Sequence, residues 1–124
     1  MPETVKFIIE GKQIKAEFFD TECARKIIQS LPIESKINEW GDEFYFSIGI
    51  RMPLDSTATI HVKAGDIGYW PSGEALAIFF GKTPISTGDD PVAASEVNIV
   101  GKLIESPLLL KSLKGAKKIR IEKE

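Results

Sequence analysis

The residues best suited to chemistry in this chain are aromatic and acidic. Trp40, Tyr45, Tyr69, Trp70 and Phe80 stand with Glu43 and Glu74 in and just after two short stretches, WGDEFYF from position 40 and GDIGYWPSGE from position 65. Indole and phenol rings offer flat apolar area with a polar edge, and a neighbouring carboxylate adds an acceptor. Such a set suits a groove for a small molecule or a peptide segment. Trp70 precedes Pro71-Ser72-Gly73, so it falls near a strand end, where binding residues concentrate. The competing use of the same rings is core packing and the plugging of one end of the fold. The ligand-binding candidates are Trp40, Glu43, Tyr45, Tyr69, Trp70 and Phe80.

Other chemistries find less support. His61 is the only histidine and Cys23 the only cysteine. Together they cannot build a four-ligand zinc site without carboxylates, and no intrachain disulfide is available. His61 alternates with threonines on the outer face of a strand, which suits a partly exposed structural residue better than a general base. Gly81-Lys82-Thr83 is like the end of a phosphate-binding loop, but Leu76 occupies the place of the earlier glycine and Pro84 follows. Asp89-Asp90 reads as solvated loop. No metal and no cofactor is expected. Lys111, Lys114, Lys117, Lys118, Arg120 and Lys123 make a basic C-terminal stretch, interrupted by Glu122 and Glu124. With 16 basic against 18 acidic residues the net charge is −2, which points to neither a nucleic-acid nor a membrane partner. No apolar run approaches the ~20 residues that span a bilayer, and no cleavage pattern opens the chain, so a cytoplasmic location is expected.

The elements that must position these residues are mostly strands. Alternation predicts a hairpin from Thr4–Glu10 and Gln13–Phe18 around Gly11. A helix is predicted over Asp20–Leu31, with Ala24, Ile27, Ile28 and Leu31 in one stripe, a cap from Asp20 or Thr21, and Pro32 as its stop. Further strands are expected over Ile33–Trp40, Glu43–Ile50, Thr57–Val62, Ile67–Trp70, Ala75–Phe80, Glu96–Val100 and Lys118–Glu122. Met52–Ser56 and Lys82–Ala94 read as loops. Ser106-Pro107 opens a short second helix, with Leu109, Leu110 and Leu113 toward the core and Gly115 at its end. With 124 residues, the chain is long enough for one domain, 1–124, with one core.

Gly65-Asp66, Phe79-Phe80 and Gly101-Lys102-Leu103-Ile104-Glu105 stand in the order that similar segments take in cyclophilins, after an opening hairpin and a helix. Trp40 to Phe46, Gly65 to Pro71 and Phe79 to Pro84 are similar to motifs of a family of small, uncharacterised prokaryotic cyclophilin-like proteins. The resemblance covers most of the chain. It implies a mostly-β fold, a closed eight-stranded cyclophilin-like β-barrel with two short helices covering its ends.

The prolyl isomerase site carries over poorly. The cyclophilin run Phe-Met-x-Gln-Gly-Gly-Asp falls on Ile60, His61, Val62, Lys63, Ala64, Gly65 and Asp66, so its glutamine becomes Lys63 and its phenylalanine Ile60. The Ser-Gln-Phe-Phe strand becomes Ala77-Ile78-Phe79-Phe80, so its glutamine is lost. Arg51 is the nearest candidate for the catalytic arginine, at a spacing that does not match. The expectation is therefore a domain that binds a small molecule or peptide segment without the usual isomerase site. A peptidyl-prolyl isomerase with a rearranged donor is the first alternative, and a subunit or domain of an amide-hydrolysing assembly the second. Oligomeric state is left open.

Overall fold

The computed structural model describes residues 2–124. Ten strands form the sheet: β1 (Glu3–Ile9), β2 (Lys12–Phe18), β3 (Ile33–Lys36), β4 (Asn38–Glu39), β5 (Glu43–Ser47), β6 (Thr59–His61), β7 (Asp66–Trp70), β8 (Ala75–Phe79), β9 (Val92–Leu103) and β10 (Lys118–Lys123). Two helices accompany them, α1 (Glu22–Gln29) and α2 (Leu108–Lys111). The order is β3-β10-β1-β2-β9-β7-β8-β5-β4, with β6 paired to β9 alone. Every pairing is antiparallel. The mostly-β class with two short helices stands. The hydrogen-bonded order is a path with two ends, of ten strands where eight were expected. Those two ends are neighbours in the chain, since only Ile37 separates β3 from β4, and its amide donates to Lys117 O at 2.9 Å.

The period-2 alternation of strands sorts side chains to two faces. Val5, Phe7 and Ile9 of β1, Ile14, Ala16 and Phe18 of β2, and Phe44 and Phe46 of β5 share the main core. The ring of Phe7 lies 6.3 Å from that of Phe18 and 6.2 Å from that of Phe46. Helix α1 closes over this core with Cys23, Ala24, Ile27 and Ile28 buried. Thr21 is its cap, accepting from Ala24 N at 3.1 Å, while Asp20 pairs with Arg25. The helix stops at Gln29, short of Leu31, which still packs against the core.

A second, smaller cluster lies on the opposite face of β7, β8 and β5. Val62, Ala77, Phe79, Ala93 and Val97 form it, with Tyr45, Ile60, Trp70 and Ile99 against it. It exists because β9 is much longer than Glu96–Val100. Its C-terminal part pairs with β2 and β7, while Val92 to Val97 pairs with β6, with a register shift between Ile67 and Gly68 on β7. Val92 to Ala94, expected as loop, are therefore strand. Thr83 holds this end down, its hydroxyl donating to Val92 O at 2.6 Å. Helix α2 has only four residues; Leu110 and Leu113 are buried, but Leu109 faces out, against expectation.

Candidate functional site

The hairpin that carries Trp40 and Glu43 is a tight turn between β4 and β5. Trp40 N donates to Glu43 O at 3.0 Å. Gly41 sits at φ +63, a conformation that side-chain-bearing residues rarely adopt. The turn is clamped to the chain after β8, where Asp42 N donates to Lys82 O and Phe80 N to Asp42 O, both at 2.9 Å. Lys111 and Lys114 pair with the Asp42 carboxylate at 3.6 and 2.9 Å, which ties the turn to α2 and the segment after it. Glu43 and Tyr45 then leave β5 on the face opposite Phe44 and Phe46, and register places them across from Phe79 and Ala77 of β8. At the far side, Trp70 ends β7 before the 3₁₀ turn Pro71–Gly73. Gly73 lies flat against the indole: a β-carbon there would sit 2.7 Å from two ring carbons.

These residues bound a cleft of about 180 Å³. Trp40, Glu43, Tyr45 and Trp70 line it, four of the six sequence candidates. Ala77 and Phe79 of β8 lie between them, and Ala93, Ala94, Ser95 and Val97 of β9 complete the lining. Two polar atoms of these lining residues, Glu43 Oε1 and Trp70 Nε1, are shut off from solvent and have no hydrogen-bond partner among the described residues. Glu43 is only 8 % exposed, and burial raises its carboxyl to about 7.

The other candidates lie elsewhere. Tyr69 and Trp70 are consecutive on one strand and so point to opposite faces. Tyr69 is wholly buried in the main core, its hydroxyl donating to Ile50 O at 2.5 Å and accepting from Met52 N at 2.9 Å. Phe80 also faces that core, its ring 4.8 Å from Phe44. Arg51 is 88 % exposed at the side chain and pairs with Glu74 at 3.2 Å, outside the cleft lining. His61 and the Asp89-Asp90 pair border a separate, polar hollow with Lys63. Among the described residues no three His, Cys, Asp or Glu side chains gather as metal ligands, and no helix is long and apolar enough to cross a membrane.

Sequence reasoning missed Phe79 and the β9 wall. Every position of β8 is apolar and buried, so only its register with β5 shows that Phe79 shares the face of Glu43 and Tyr45. Ala93 to Val97 carried no signal either, since small residues after a Gly- and Asp-rich stretch look like loop.

The fold and the cleft together define a mostly-β protein with a pocket on the outer face of its sheet. A family model described as cyclophilin-like matches residues 3–122, and the chain belongs to that family. It is similar to the solution structure of a hypothetical protein from Archaeoglobus fulgidus, at 32% identity and a TM-score of 0.82, covering 99% of this chain and 95% of that one. No curated protein matches the chain.

Proposed function

We propose that this chain is a cyclophilin-like domain that binds a small molecule in the cleft between Trp40, Tyr45 and Trp70, without the usual prolyl isomerase site. One observation carries the reading: a carboxylate oxygen and an indole N–H are both buried and unpartnered among aromatic rings. Leaving a buried polar group unsatisfied costs about 1–3 kcal/mol, a cost recovered when the side chain turns to meet a ligand in the cleft. The cleft joins aromatic and methyl-bearing walls to a few polar atoms, the usual make-up of a small-molecule site. Its small volume favours a ligand over a long peptide segment. Lys63 and Ile78 stand where the cyclophilin resemblance places glutamines, which supports a reading without isomerase chemistry. The same proposal takes residues 1–124 as one domain, and takes the strand path as a barrel whose seam is the β3–Ile37–β4 segment.

The chain's two tryptophans both line the cleft, so indole emission reports on this site alone. A panel of single-ring compounds, neutral and charged, is titrated while emission and melting temperature are followed. Ligands that shift both signals in the wild type and fail in Trp70→Ala support the reading. A panel without effect on emission at millimolar concentration overturns it. So does proline isomerisation of a model peptide that disappears in Arg51→Ala, which would establish the rearranged isomerase instead.

A further inference from the structure

We propose that the cleft selects a small organic cation, a protonated amine or amidine on a single ring or short chain, over neutral molecules of the same shape. The inference rests on the ligand-binding reading above and adds the charge of the ligand.

The argument begins with Glu43. Its carboxylate is nine-tenths buried, and Oε1 has no partner among the described residues. None of the ion pairs of the described residues includes Glu43, and Lys111 and Lys114 pair instead with the neighbouring Asp42. The cleft lining contains no basic residue. Buried charges in proteins are paired or driven neutral. Burial alone accounts for the raised carboxyl of Glu43, as expected of an acid to which the protein supplies no counter-charge. Glu43 borders the cleft, so a ligand cation there provides that counter-charge to its carboxylate.

The rings favour the same sign. Tyr45 and Trp70 stand at 89° with centroids 6.2 Å apart, so they form two sides of a corner, and Trp40 adds a third ring. The faces of such rings attract cations, more strongly when water is excluded. At about 180 Å³ the cleft is below the roughly 300–1,000 Å³ of drug-sized sites, which suits one ring or a short amine.

Isosteric pairs test this: benzylammonium against benzyl alcohol, and benzamidinium against benzamide. Each is titrated at about pH 8, where Glu43 is ionised, with tryptophan emission as the readout. The expected result is at least about tenfold tighter binding of each cation, and loss of that preference in Glu43→Gln. Wild-type protein at about pH 5 is the companion measurement that needs no variant: protonation of Glu43 should weaken the cations and leave the neutral partners unchanged. Neutral members that bind as tightly as the cations overturn the inference while the ligand-binding reading stands. A cation preference unchanged by both Glu43→Gln and low pH also overturns it. Cations silent to about 10 mM overturn it as well, whatever neutral compounds do.

Discussion

Tyr45 and Trp70 meet at a right angle, ring centroids 6.2 Å apart, although their strands are not neighbours. Between β5 and β7 runs β8, which carries Ala77 opposite Tyr45 and Ala75 opposite Trp70. A methyl group is all that either position raises above the sheet. Large rings from the flanking strands can therefore lean over the middle strand and touch. The cleft thus depends on small residues in β8 as much as on the aromatics that line it.

Ala77→Val should close the cleft by adding carbon to its floor. Overpacking of this kind costs about 1–3 kcal/mol. A urea melt should show that modest loss. Tryptophan emission should change in the free protein, and ligand titrations should go flat. Retained ligand response would mean that the ligand sits elsewhere.

Glu43 should give stability a pH dependence of defined sign. Its carboxyl titrates near 4.5 when unfolded and is raised to about 7 when folded. Between those values the folded state holds more protons than the unfolded one, so stability falls as pH rises through that window and then levels off. The total fall is on the order of 3 kcal/mol. Glu43→Gln should remove this slope and be the more stable protein above about pH 7. Denaturant midpoints at several pH values, compared between the two proteins, measure it; parallel curves would contradict it.

Tyr69→Phe should loosen the chain after β5. The Tyr69 hydroxyl holds Ile50 O and Met52 N, and Asn98 holds the same segment through Asp55 N at 2.8 Å and Pro53 O at 2.9 Å. Losing the hydroxyl leaves two backbone groups short of a partner, a cost of about 1–3 kcal/mol. Amide exchange should accelerate first at Met52. Cleft titrations should be unchanged, because Tyr69 faces the other way.

Cys23 should resist alkylation in the native protein. It is buried on α1, and burial pushes its thiol up to about 11, leaving almost no thiolate at neutral pH. Iodoacetamide labelling should follow the unfolding curve in urea. Fast labelling without denaturant would show that α1 opens on its own.

Much of the fold was readable from periodicity. The first hairpin, the buried stripe of α1 and the split between Phe44/Phe46 and Glu43/Tyr45 all follow from where apolar residues recur. The rule that places Phe44 inward also places Tyr69 and Trp70 on opposite faces. Treating Tyr69 with Trp70 overlooked that parity, whereas the choice between Phe79 and Phe80 needed the register of β8 on β5. The wall from Ala93 to Val97 was illegible for a different reason. Its strand is held by long-range pairing with β6 and by the Thr83 hydroxyl on Val92, contacts that no local window contains. The expected length of α2 failed similarly: Leu109 fits a helical stripe, but the helix ends after one turn and leaves it exposed.

The place of β1 beside β10 has a kinetic consequence. Val5 pairs with Lys123 and Ile9 with Ile119, so this ladder joins stretches separated by more than a hundred positions. Closing so long a loop costs entropy that grows as about (3/2)RT ln n, whereas the hairpins β1–β2, β4–β5 and β7–β8 close locally. Chains dominated by distant pairings fold slowly, on the order of milliseconds to seconds. Local hairpins should therefore form early, and the zipping of the last strand onto the first should be the late event that completes the core.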